Sequence, residues 1–312
     1  MLFICKKESA DAPAENVLRK EIYSMEKPAP WLGNAKNTSE ILKKYDFRVR
    51  KKFGQNFLVD SFVLDKIVAA ADIGPEDAVL EIGPGIGTLT QYLASAAKEV
   101  ICVEIDRSLE RIQSETLAGW DNITVIWEDV LKLDLRALIE EHCPGGRIKV
   151  TANLPYYITT PILMNLLEQE LPIQSITVMI QKEVAERIAA EPGNKNYGAL
   201  TLAVQYYADA YLAANVPPNC FLPRPEVSSA VIRMDIKKDR IPVKDPEKMK
   251  KIIRAAFSQR RKTLVNCLRS AEELQITREE AEAAVEKLGL PASVRGETLS
   301  LPQFAALSDI LP

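Results

Sequence analysis

The amino-acid sequence predicts a doubly wound α/β domain, built on a mostly parallel sheet of seven strands and followed by a small all-α domain. Three observations carry that prediction. From Asp60 onward, short apolar runs of strand length alternate with helix-period segments, the pattern of repeated βαβ units. The run Ala78 to Ile82 leads into alternating glycines, Gly83-Pro84-Gly85-Ile86-Gly87, and an apolar segment, Leu89 to Ala97, follows. This order reads as strand, tight turn and helix. After Asp239-Arg240-Ile241-Pro242 the composition turns helical to the C-terminus.

Taken in order, residues 1–35 read as a poorly ordered N-terminal extension, with Met25 as an alternative start. Asn37 to Tyr45 reads as a short helix capped by Thr38 or Ser39. A basic run, Arg48 to Lys52, precedes the amphipathic Phe53-Gly54-Gln55-Asn56-Phe57-Leu58. Helix 60–71, strand 78–82, helix 87–97, strand 99–105, helix 107–118 and strand 123–127 follow. Next come strand 148–152, helix 160–169, strand 175–181, helix 182–190 and a helix near 198–207. Strands near 210–216 and 228–236, separated by the stiff loop Phe221-Leu222-Pro223-Arg224-Pro225-Glu226, close the sheet with an antiparallel tail. The expected division is therefore 1–35, 36–242 and 243–312.

Composition excludes several classes. The 312 residues hold 40 Lys and Arg against 43 Asp and Glu, a formal net charge of −3. Any nucleic-acid surface must then be local. The five cysteines are scattered without a C-x-x-C pair, which predicts no metal site and no disulfide framework and fits a reducing cytoplasm. His142 is the only histidine, so histidine triads are excluded. No apolar run approaches membrane-span length, so no membrane partner is expected.

In open α/β sheets, ligands bind at the carboxyl ends of the strands. Three predicted strand ends carry polar groups in sequence: Glu81 with Gly83 and Gly85, then Glu104, then Asp129. Glu104 follows Gly87 by 17 residues, a place from which a carboxylate accepts from ribose hydroxyls. Asp129 is placed to accept from an adenine amine. A dinucleotide fingerprint needs G-x-G-x-x-G, and here the third glycine comes one residue early. Glu81 would also repel a pyrophosphate, so a nicotinamide dehydrogenase is disfavoured. A nucleoside ligand without phosphate and with positive charge fits better: S-adenosylmethionine.

A fourth strand end runs into Asn153-Leu154-Pro155-Tyr156. The amine nitrogen of a nucleobase is a poor nucleophile because its lone pair is delocalised into the ring. An amide oxygen (Asn153) and a backbone carbonyl (Leu154) can accept from the amine hydrogens and draw that lone pair toward a methyl donor. Pro155 stiffens the turn, and Tyr156 offers a face on which an extruded base can stack. Such chemistry needs no histidine base.

These residues resemble the class I, S-adenosylmethionine-dependent adenine-N6 methyltransferases, a Rossmann-like group. Phe53 to Leu58, Asn153 to Pro161, Phe221 to Ser229 and Phe257-Ser258-Gln259-Arg260-Arg261-Lys262-Thr263-Leu264 narrow the likeness. Together they resemble the bacterial small-subunit ribosomal RNA adenine dimethyltransferase family from about residue 36 to the C-terminus. The resemblance implies dimethylation of two adjacent adenosines near the 3′ end of 16S rRNA, on a late small-subunit assembly intermediate, by a cytoplasmic monomer. It also implies that Asn56, Leu58, Gly83, Gly85, Glu104, Asp129 and Asn153 surround the cofactor, with the linker before Gln55 closing over it. Large-subunit rRNA methyltransferases of the macrolide-resistance type share these motifs, and a non-catalytic assembly factor is a third reading. Pro161 and the basic Phe257–Leu264 stretch favour the small-subunit family.

Lys250 to Leu264 reads as one helix, with Ile252, Ile253, Ala256 and Phe257 facing the core. Arg254, Arg260, Arg261 and Lys262 are the candidate RNA contacts, with Arg48, Arg50, Lys51 and Lys52 as a second basic patch.

Overall fold

The computed structural model describes residues 30–50 and 54–312. The expectations for Met25, Lys51, Lys52 and Phe53 lie outside the described residues. Seven strands form one sheet: β2 (Ala78–Ile82), β3 (Glu99–Glu104), β4 (Ile123–Trp127), β5 (Ile148–Asn153), β6 (Ile173–Gln181), β7 (Ala208–Val216) and β9 (Ser229–Ile236). Their spatial order is β4-β3-β2-β5-β6-β9-β7. The first five run parallel, and β9 is antiparallel to both β6 and β7. The chain leaves β2 in one direction through β3 and β4, then returns to β5 on the other side. The junction of β2 and β5 is thus the topological switch point, where a crevice opens at the carboxyl ends.

Alternation along the strands builds two layers. Ala78, Leu80 and Ile82, with Ile101 and Val103, face one apolar cluster; Val79, Val100 and Cys102 face the other. Both faces of a parallel sheet are covered by crossover helices, so every residue of β2 is buried. Helices α2 (Ser61–Ala71) and α3 (Thr88–Ala94) cover the second face. Helices α5 (Leu135–His142), α6 (Thr159–Glu168), α7 (Lys182–Ile188) and α8 (Ala199–Tyr207) cover the first. Between β3 and β4 lies α4 (Glu110–Thr116).

Helix α1 spans Ala35–Lys44, and its cap is Asn34, whose side chain accepts from the Asn37 N–H; Thr38, expected as a cap, is buried. Residues 1–29 of the expected extension lie outside the described residues, while its last part, from Pro30, is ordered against the domain. From Pro30 the chain is packed: Leu32 is fully buried and its N–H donates to Gln91 Oε1, while Gln91 Nε2 donates to the carbonyls of Pro30 and Thr116.

Two further strands, β1 (Phe57–Leu58) and β8 (Phe221–Leu222), pair antiparallel outside the main sheet. Two motifs separated by more than half the chain are thus laid edge to edge.

After β9 come α9 (Pro246–Ser258), α10 (Leu264–Arg269), α11 (Arg278–Lys287) and α12 (Leu301–Ile310). Asp245 caps α9 through the Lys248 N–H, with Pro246 at its first turn. The single helix expected over 250–264 is corrected: α9 stops at Ser258, and Arg260, Arg261 and Lys262 lie in the connection to α10. Phe304, Ile252 and Leu264 belong to the same apolar cluster as Ile232 and Val178 of the sheet. Among the described residues, no helix is long and apolar enough to cross a membrane.

Candidate active site

The crevice over the switch point encloses about 1080 Å³, including the solvent at its mouth. It gathers residues that the sequence holds far apart: Asn56 before β1 and Leu58 within it, Gly83 and Gly85 after β2, Glu104, Asp129, and Asn153 to Tyr156 at the end of β5. Every predicted cofactor and catalytic residue lines it. Parallel strands with short βα connections bring successive carboxyl ends to one edge, which is why residues 70 positions apart in sequence meet there.

The glycine turn is held from both sides. The Gly83 N–H donates to the Val103 carbonyl at 2.9 Å. The Gly85 N–H donates to Glu104 Oε2 at 3.0 Å, and Gln113 Nε2 donates to the Gly85 carbonyl at 2.7 Å. Gly83 takes φ +69°, and a side chain added there would meet no protein atom within 4 Å; its open face looks into space the crevice keeps for a ligand. At Gly85 an added Cβ would lie 3.3 Å from the Phe57 ring, so the turn rests directly on β1.

Glu104 is buried, and its Oε1 accepts from the Asp106 N–H at 2.8 Å. Burial raises its carboxyl above the usual range, while the N–H groups of Asp106, Gly85 and Ile105 act against that rise. The carboxylate, with about four acceptor positions, keeps lone-pair capacity for a ligand hydroxyl. Asp129 is held in a local turn by the Leu131 N–H on Oδ1 at 3.0 Å.

Glu81 differs from the sequence-based expectation of a charged loop entrance. Alternation turns its side chain toward the second layer, beside its register partner Cys102, whose thiol donates to Oε2 at 3.6 Å. Only 1% of the residue is exposed, and burial pushes its carboxyl up to about 8, against the pull of Thr90 and Cys102. At neutral pH the group is largely uncharged. Glu104, Glu128 and Asp129 are the other acids that line the crevice.

Asn153 Nδ2 donates to the Asn56 carbonyl at 3.0 Å. That acceptor orients the amide, so Oδ1 is left without a donor among the described residues. The Leu154 N–H donates to the Met179 carbonyl at 3.1 Å, and no described residue donates to its carbonyl. Tyr156 reaches Ser229 of β9, hydroxyl to hydroxyl at 2.7 Å, and burial raises its phenol above the ordinary range. The ring is therefore fixed at both ends. Ser229 lies in the quoted Phe221–Ser229 motif, but nothing local in the sequence shows that it meets Tyr156.

The profile of the ribosomal RNA adenine dimethylase family matches residues 46–304. The chain belongs to that family. It is 55% identical over 283 residues to the ribosomal RNA small subunit methyltransferase A of Lachnoclostridium phytofermentans, covering 90% of this chain and 98% of that one. The protein of the same name from Alkaliphilus oremlandii is 46% identical over 281 residues, covering 90% and 98%. Among solved structures, a dimethyladenosine transferase from Plasmodium falciparum aligns with TM-score 0.65 and 28% identity, over 80% of this chain and 95% of that one. The 23S rRNA methyltransferase ErmE aligns with TM-score 0.65 and 26% identity, over 82% and 99%.

Membership makes the chain an S-adenosylmethionine-dependent methyltransferase, and the crevice of this dimethylase fits that cofactor on its own chemistry. Glu104 and Asp129 supply acceptors for hydroxyl and amine groups, and Gly83 leaves room for close approach. Thr88, at the start of α3, lines the crevice with a buried hydroxyl that has no hydrogen-bond partner among the described residues. Such an orphan is costly unless a ligand satisfies it. Gln113 and Asp106 are not legible in the sequence because each acts through a contact with a distant segment, and Thr88 because its pattern is that of any residue opening a helix.

The candidate RNA residues divide. Arg254, Arg261 and Lys262 are exposed. Arg260 is committed internally: Nη2 donates to the Lys195 carbonyl at 2.7 Å and pairs with Glu297 at 3.2 Å. In the second patch, Arg48 is exposed and Arg50 pairs with the buried Asp106 at 3.2 Å.

Proposed function

We propose that this dimethylase adds two methyl groups to N6 of each of two adjacent adenosines near the 3′ end of 16S rRNA, in the small ribosomal subunit late in its assembly, and that it acts as a monomer. The observation that carries the chemistry is the orientation of Asn153. With Nδ2 held by the Asn56 carbonyl, Oδ1 joins the unpaired Leu154 carbonyl as a two-point acceptor at the end of β5. In the first transfer, two acceptors on the two amine hydrogens localise the nitrogen lone pair and point it along one direction; in the second, one acceptor holds the remaining hydrogen. Tyr156, tethered to Ser229, offers its ring to an extruded adenine, a contact worth about 1–3 kcal/mol. S-adenosylmethionine, when bound, supplies an electrophilic methyl group on a sulfonium. The site residues bind, orient and exclude water, and no histidine base is required. His142 is paired with Glu99 at 2.7 Å, at the opposite end of β3 from the crevice.

The choice of the small subunit is supported by the relatives named for it at up to 55% identity. Arg254, Arg261 and Lys262 would contact phosphates of the folded RNA. The test is transfer of labelled methyl groups from S-adenosylmethionine to small subunits lacking adenine dimethylation, with large subunits and free RNA in parallel. Label on small subunits, recovered as dimethyladenosine after digestion, supports the proposal. Label on large-subunit RNA instead moves the substrate to 23S rRNA. Binding of S-adenosylmethionine with no label on any RNA points to an assembly factor.

A further inference from the structure

We propose that Gln55 and Asp106 are positioning residues that tie the cofactor-side carboxylate, Glu104, to the amine-orienting amide of Asn153. The inference rests on the function proposed above. Hydrogen bonds, joined by the peptide link between Gln55 and Asn56, connect the two sides of the crevice. Glu104 Oε1 accepts from the Asp106 N–H at 2.8 Å. Asp106 is 2% exposed, and its Oδ2 accepts from Gln55 Nε2 at 2.9 Å. Gln55 Oε1 accepts from the Arg50 N–H at 3.0 Å. The next residue, Asn56, presents its carbonyl to Asn153 Nδ2 at 3.0 Å.

Each link has a defined polarity. The Arg50 N–H requires the oxygen of Gln55, and the Asp106 carboxylate requires its nitrogen, so the amide cannot turn over without losing both bonds. Asp106 Oδ1 is filled by the Ser108 N–H and hydroxyl and by Arg50. The buried acid is fully engaged, and its grip on Gln55 fixes the backbone that carries the Asn56 carbonyl. If that carbonyl shifts, Asn153 loses the bond that aims Oδ1. A misplacement of about 1 Å at a reacting group costs on the order of 10²-fold in rate. Gln55 and Asp106 need touch neither adenine nor methyl group to control turnover.

The test reverses the polarity of one link in the full-length protein. Gln55→Glu sets a carboxylate against the Asp106 carboxylate, and adding Asp106→Asn restores a donor facing an acceptor. Methyl transfer to undermethylated small subunits is measured with kcat and KM separated, and dissociation of S-adenosylmethionine is followed by equilibrium dialysis. Gln55→Glu is expected to lower kcat at least 30-fold with the KM for subunits within threefold of wild type. The double variant is expected to recover to within fivefold of wild type. Gln55→Ala, which removes the link without opposing charges, serves if the first variant fails to fold, and should lower kcat about tenfold. Wild-type kcat in Gln55→Ala, or a double variant no better than Gln55→Glu while both remain folded, overturns the inference. A wild-type protein inert on every RNA overturns the proposed function, and this inference with it.

Discussion

Asn153 sits at the end of β5 with one half of its amide spent on structure and the other left to chemistry. On the proposed function, removing the side chain takes away an acceptor that matters only as the amine becomes nucleophilic. Asn153→Ala is therefore expected to lower kcat by about 10²-fold or more, with RNA affinity within a few-fold of wild type. Single-turnover methyl transfer beside a filter-binding titration separates the two, and equal losses would contradict the assigned role. Glu81 makes a different kind of prediction. Its carboxyl titrates near 8 in the folded protein against an ordinary value of 4.5, so the folded state binds the extra proton between those limits. Stability must then fall as pH rises from about 4.5 toward 8, by at most about 1.4 kcal/mol per pH unit from this group. Glu81→Gln should flatten that slope, as measured by urea unfolding at pH 5, 6, 7 and 8; an unchanged slope would show that the group is not held neutral.

At the scale of elements, the glycine turn is supported from outside the sheet. Phe57 of β1 lies under Gly85, and one apolar cluster joins Phe57 and Ile86 to Leu32, Ile41, Leu109 and Ile112. The N-terminal segment and α1 thus hold the back of the ligand crevice. Trp31 packs on Tyr92 with ring centroids 4.6 Å apart, and Gln91 clasps the backbone on either side of that tryptophan. Leu32→Ala opens a cavity at a fully buried position and should cost about 2–5 kcal/mol in urea unfolding. It should also weaken S-adenosylmethionine binding, because the turn loses part of its backing. Unchanged binding in a destabilised variant would limit the segment to a stabilising role.

Across the whole molecule, one apolar cluster runs from the sheet into the C-terminal helices, with Phe304 fully buried within it. The three tryptophans, Trp31, Trp120 and Trp127, all lie in the N-terminal half. Phe304→Ala should cost about 3–5 kcal/mol. If the shared core makes unfolding cooperative, the midpoint seen by tryptophan fluorescence should shift together with that seen by circular dichroism. A shift in circular dichroism alone would show that the helical region melts by itself. The same continuity gives Arg260 a structural task. Its pairing with Glu297 and the Lys195 carbonyl joins the α9–α10 connection to the loop after α7, while Arg254, Arg261 and Lys262 are exposed nearby.

Local pattern alone determined a good deal about this protein. Alternating strand and helix periods placed all seven strands of the sheet within two residues, the central ones because apolar runs of that length are buried on both faces. The glycine turn, Glu104, Asp129 and Asn153 were legible because a parallel sheet delivers successive strand ends to one edge, so their order in the chain implies their meeting in space. What lay across the chain was not legible. The charge state of Glu81 depends on which layer β2 turns it into, and the cap of α1 depended on Asn34 rather than on the nearer hydroxyls. The pairing of β1 with β8, the tether of Tyr156 to Ser229 and the clasp of Gln55 by Asp106 join segments separated by 51 to 165 residues. No periodicity encodes such contacts. They exist only once the folded sheet has brought those segments together, and the orientation of the Asn153 amide, on which the proposed chemistry depends, is set by another such contact, with the Asn56 carbonyl.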